Sequence, residues 1–189
     1  MKQYFRIFLI LFLLHPCISN AQKSKNTARE NIVLLKSGAL FVRLRTSDLK
    51  INALKSKGML KEAEEIRVAQ ENTNKSIIAA FKVNFTFCPV YFFYSTYSAQ
   101  VKEGNYKGLI MDINMQPDSS FTSDKYLIGE FDESETTQMD AFIIKDKNYE
   151  QLKKPFPFFI KQNEAVVSTR SYEKIVFILN KRLFEYYSK

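Results

Sequence analysis

The stretch Phe81–Ser95, FKVNFTFCPVYFFYS, decides the fold. Its last eight residues, Cys88–Ser95, hold five β-favouring side chains in a row, and the strand is expected over Pro89–Ser95. A run that is apolar at both alternating positions suits a strand covered on both faces, as in α/β layer structures. It is too short to span a bilayer, which takes about 20 apolar residues. The expectation is a central strand with other elements layered on either side.

Upstream, Leu60, Ala63, Ile66, Ala69, Thr73, Ile77 and Ala80 recur every three or four residues, with charged residues between them. That spacing predicts a long amphipathic helix over Leu60–Phe81. Asp48–Lys57 reads as a shorter helix, with Thr46-Ser47-Asp48 offering N-cap oxygens and Gly58 stopping it. Before it, Ala39–Arg45 alternates Leu40, Val42 and Leu44 with Phe41, Arg43 and Arg45, the period of a strand.

Downstream, Gly104-Asn105 marks a turn, Tyr106–Ile113 is a second strand candidate and Tyr126–Phe131 a third. Glu130–Asp140 carries Glu130, Asp132, Glu133, Glu135 and Asp140 with no basic residue. Paired carboxylates could serve a glycosidase or a calcium site, but the calcium-loop spacing is missing, so a solvated acidic loop is expected. Ala141–Ile144, a turn at Lys145–Asn148 and Tyr149–Ile160 form a predicted hairpin. Its second arm contains Pro155-Phe156-Pro157-Phe158-Phe159, so it must be an edge or begin its strand after Pro157. Phe156, Phe158 and Phe159 are candidates for a surface aromatic patch or groove, against the plainer reading that they cover the sheet. Lys161–Arg170 reads as a polar connection, and Ser171 caps a last helix with Tyr172, Ile175, Val176, Leu179 and Leu183 on one face.

These pieces predict one α/β domain over residues 32–189: a mixed sheet of about five strands, with the long helix and the C-terminal helix packed on it. The start of the chain is different. Lys2 and Arg6 flank the start of an apolar run over Ile7–Leu14, Pro16 breaks it, and Ser19-Asn20-Ala21 offers small residues at a cleavage site. This is the pattern of a secretory signal peptide over residues 1–21, followed by a polar, flexible lead-in over residues 22–31. The expected product is exported and periplasmic or extracellular. A lipid on Cys17 is the lesser alternative, since Pro16 is a poor fit before such a cysteine.

Cleavage would remove His15, the sole histidine, and one of the two cysteines. What remains has no histidine-dependent triad or metal site and no cysteine pair. It has neither a GxGxxG nor a GxxxxGK[ST] phosphate loop. No catalytic, cofactor or metal residue is therefore assigned, and Cys88 alone stands as a candidate functional thiol. Its neighbours Phe85, Phe87 and Val90 favour a buried, inert cysteine.

The chain resembles a family of uncharacterised secreted proteins from Bacteroidota. The resemblance covers most of the mature chain and rests on Gly38–Leu44 (GALFVRL), Phe87–Ser95 (FCPVYFFYS) and Pro155–Phe159 (PFPFF). It implies export and carries no established activity. The order strand, helix, strand, hairpin, helix is also similar to a thioredoxin-like core, although one cysteine at the start of the central strand replaces a CxxC at a helix start.

Two functional classes follow. The first is a non-catalytic binding or structural protein of the cell envelope, using basic and aromatic surfaces. The second is a thioredoxin-like or thiol-dependent protein acting through Cys88. The formal net charge of +8 is spread along the chain without a nucleic-acid motif. It favours envelope components such as anionic lipid headgroups or acidic polymers, or another protein.

Overall fold

The computed structural model describes residues 22, 24–134, 137–165 and 168–189. The expected signal peptide at residues 1–21 lies outside them. In order the chain forms α1 (24–37), β1 (Ala39–Leu44), α2 (Asp48–Ser56), α3 (Leu60–Asn84), β2 (Val90–Tyr94) and α4 (Ser98–Lys102). It continues with β3 (Tyr126–Glu133), β4 (Asp140–Lys145), β5 (Phe159–Lys161), β6 (Asn163–Ala165), β7 (Ser168–Thr169) and α5 (Tyr172–Tyr187). The architecture is α/β, with a five-stranded mixed sheet ordered β2-β1-β3-β4-β5. β1 runs parallel to β2 and β3, whereas β4 is antiparallel to β3 and β5.

The alternation in β1 sorts the two layers. Leu40, Val42 and Leu44 face a helical layer with Ile32 and Leu35 of α1, Ile77 and Phe81 of α3, and Ile175, Leu179 and Leu183 of α5. Ala39 and Phe41 face a smaller aromatic cluster on the other side, with Phe93, Tyr106, Tyr126 and Ile128. There Phe41 stacks on Tyr126 at 4.4 Å and meets Tyr106 edge-on at 5.4 Å. The Tyr126 hydroxyl, pulled into this layer, donates to the Val101 carbonyl at 2.9 Å, which satisfies a polar tip that burial would otherwise strand.

Several expectations change. The apolar run Val90–Tyr94 forms a strand, but β1 holds the middle of the parallel trio and β2 lies outside it. Phe92 and Phe93 are each fully buried, one in either layer, and the outer edge of β2 is closed by paired bonds of 2.8 Å between Phe92 and Met111. Coverage of both faces is written in side chains, whereas a strand's rank in the sheet is a matter of backbone partners. The lead-in at residues 24–31 is part of α1, and Ala28, Ile32 and Leu35 are buried at helical spacing. Tyr106–Ile113 is not a strand: Gly108 takes a φ of 73° and Ile110 N–H bonds back to the Tyr106 carbonyl at 3.2 Å. That turn places Tyr106 and Ile110 together in the aromatic layer.

Ser47, expected to cap α2, has a φ of 57° and makes no side-chain cap; its Oγ donates to Gln70 of α3. Ser171 does cap α5, accepting from the Lys174 N–H. In α3, Leu60 and Ala69 are exposed, because the first half of that helix runs beside α2 and only the second reaches the sheet. Asn74 is buried there and donates to the Arg45 carbonyl at 2.8 Å, tying the helix to the end of β1. The Lys161–Arg170 connection contains the β6–β7 ladder. No helix among the described residues is long and apolar enough to cross a membrane.

Candidate binding groove

β5 starts after Pro157 and takes the edge of the sheet, as its prolines require. Beside it the chain leaves a groove of about 1090 Å³ between the Gln151–Lys161 segment and α5. Pro155, Pro157, Phe158 and Phe159 line it with Leu152, Ile160 and Ile178. Of the three candidate aromatics, Phe158 and Phe159 are half-buried on this surface. Phe156 is 2% exposed and meets Tyr186 edge-on at 6.2 Å, so it anchors the segment to the core as well as bordering the groove.

The polar lining is one-signed. Lys153, Lys154, Lys161, Arg170 and Arg182 border the groove, and no carboxylate does so among the described residues. The backbone adds to this polarity. Phe158 O accepts from Ile144 N–H and Gln162 N–H donates to Asp140 O, so residues 158 and 162 face β4 and residues 159 and 161 face outward. Their outward carbonyls are already covered: Phe159 O accepts from Arg182 at 3.3 Å and Lys161 O from Arg170 at 3.0 Å. The edge is thus stripped of acceptors and dressed in cations. At the segment's start, Lys154 O accepts from Ser24 of α1, which fixes the lysine pair against the body of the fold.

Cys88 lies elsewhere, just before β2 and four strands away from β5. At the usual strand spacing of about 4.8 Å that is on the order of 19 Å across the sheet. It is half-buried against the helical core. Burial pushes its thiol up from 9.0 to about 12, against weaker opposition from the Leu40 backbone and the Lys36 charge. The Lys36 ammonium is itself engaged, donating to the Phe87 carbonyl at 2.6 Å and lying over the Phe87 ring. A thiol in this setting stays protonated near neutral pH and is a poor nucleophile.

The acidic segment is not the uniform solvated loop that its composition predicts. Glu130 is a β3 residue, 3% exposed, and its two carboxylate oxygens meet Arg43 at 2.6 Å and Lys145 at 2.8 Å. Arg43 also donates to Ser98 Oγ at 2.8 Å. Asp132 pairs with Arg45. Glu130 and Asp132 are therefore matched by cations and not by each other, while Glu135 lies outside the described residues. No cluster of three or more histidine, cysteine or acidic residues suited to a metal ion occurs among the described residues.

Lysines at 153, 154 and 161 flank the PFPFF segment in sequence and were a readable sign of a basic border. Arg170 and Arg182 were not, because they reach the groove from a hairpin and a helix that only the fold brings near. Comparisons with protein-family models, curated proteins and solved structures find no match to this chain.

Proposed function

We propose that this chain is an exported, non-catalytic binding protein of the cell envelope, and that the groove along β5 and α5 seats its ligand. The observation that carries the reading is the groove's composition: an apolar floor bordered by five cations with no described carboxylate. Such a concave apolar surface with a few convergent polar groups is the usual form of a small-molecule site. The sequence pattern of residues 1–21 and the resemblance to secreted Bacteroidota proteins support export. The thiol-dependent alternative is weakened by the high pKa and half-buried position of Cys88.

The test is a melting-temperature screen of the purified exported protein against envelope lipid and acidic-polymer fractions. A ligand at about 100 times its Kd adds about 2.7 kcal/mol to stability, which for a domain of this size is a rise of roughly 5–10 °C. At least one fraction should raise the Tm of the wild type and leave Lys153→Glu/Lys161→Glu unmoved. If no fraction does, the groove is not a ligand site.

A further inference from the structure

The groove's occupant can be narrowed, on the premise that it is a binding site at all. We infer that it holds a long-chain fatty-acid anion, with the acyl chain along the Pro157–Phe158 side and the carboxylate among the lysines and arginines. Leu152, Phe158, Ile160 and Ile178 form a floor with no acidic side chain among the described lining residues, which suits an extended hydrocarbon. The volume, about 1090 Å³, lies just above the range of roughly 300–1,000 Å³ usual for small-molecule pockets. That is the scale of a small-molecule site, with room for an extended acyl chain.

Charge complementarity selects an anion. Lys153, Lys154 and Lys161 are exposed at the border, and Arg170 and Arg182 stand over the strand edge. A peptide adding to β5 as a sixth strand is the obvious rival, since open edges recruit strands. Here the outward carbonyls of Phe159 and Lys161 already accept from Arg182 and Arg170. An incoming strand would find its N–H groups facing guanidinium donors instead of acceptors. A carboxylate is met by the exposed ammonium groups of Lys153, Lys154 and Lys161, and its apolar tail asks for no backbone bonds.

Isothermal titration of the purified exported protein with laurate, octanoate, dodecyl maltoside and poly-glutamate tests this. Laurate should bind. Each seated methylene strengthens binding by about fourfold, so octanoate, four methylenes shorter, should bind about 250-fold more weakly. Dodecyl maltoside, with a similar chain and no charge, should bind at least tenfold more weakly than laurate. In Lys153→Glu/Lys161→Glu, two exposed sites whose change should leave far-UV circular dichroism intact, laurate affinity should fall at least tenfold. Dodecyl maltoside matching laurate would overturn the carboxylate's part, and poly-glutamate matching it would overturn the acyl chain's. If laurate gives no heat while an envelope fraction still raises the Tm, the fatty-acid inference alone fails. If no fraction raises it either, the binding reading fails as well.

Discussion

Two places in this molecule gather cations at the sheet, and they differ in one respect. Near the end of β1 and at the end of β4, Arg43 and Lys145 converge on the buried Glu130 of β3, and both oxygens of that carboxylate are used. Beside β5, five cations converge on an apolar groove that has no carboxylate among its described lining residues. In the first, charge is balanced inside the fold, so the cluster holds strands together. In the second, Lys153, Lys154 and Lys161 stand exposed beside apolar surface, open to a ligand. Exposed charge next to apolar surface, more than charge itself, separates a candidate site from a structural network.

Three changes would break or sharpen that contrast. The largest effect belongs to Glu130→Ala, which leaves Arg43 and Lys145 facing each other in a site where the glutamate is 3% exposed. Removing one partner of a buried ion pair typically costs about 3–5 kcal/mol. Urea unfolding should show a loss of that order, with ligand binding unchanged in the protein that remains folded. A loss below about 1 kcal/mol would mean that the cluster is no more structural than a surface pair.

Next comes Cys88→Ser, which trades a half-buried thiol for a hydroxyl and should cost about 1–2 kcal/mol. Binding should persist, and the native thiol should label slowly at neutral pH until the protein unfolds. The pH dependence has a defined sign. The folded thiol's value, about 12, is above the ordinary 9.0. Folded protein therefore holds the proton more tightly, and this contribution is complete below pH 9.0 and lost as pH rises toward about 12. The wild type should thus lose more stability than Cys88→Ser over that window. Fast labelling of folded protein together with lost function in Cys88→Ser would restore the thiol reading.

The smallest effect on stability is expected at the groove. Lys153→Glu/Lys161→Glu changes exposed residues and should stay within about 0.5 kcal/mol of the wild type per site. A large loss there would show that the lysines serve the fold, and would erase the distinction from Glu130. Raising the ionic strength should weaken ligand binding in the wild type, since exposed charges are screened, while leaving the buried Glu130 cluster nearly unaffected.

The sequence was legible where local chemistry suffices. Alternation in Ala39–Arg45, the 3.6-residue period in α3 and α5, the stop at Gly58 and the delayed start of β5 after Pro157 all follow from backbone and packing rules acting over a few residues. The α1 helix is hidden in the sequence because its polar residues mask a narrow stripe, Ala28, Ile32 and Leu35, that is continuous only when wound into a helix. The aromatic layer was illegible for a different reason: Phe41, Tyr106 and Tyr126 are far apart in the chain, and irregular turns bring them together.

By itself, then, the sequence determined the α/β class, the apolar faces of β1 and α5, and the absence of histidine, paired cysteines and phosphate loops from the chain after residue 21. Periodicity and residue type act locally, so they survive without coordinates. Only the tertiary structure decided that β1 lies between its two parallel neighbours, that Glu130 is paired with Arg43 and Lys145, and that Arg170 and Arg182 join three lysines over one apolar groove. Each depends on which backbone edges meet and which distant charges end up a few ångströms apart, and neither is encoded in the order of residues along any single segment.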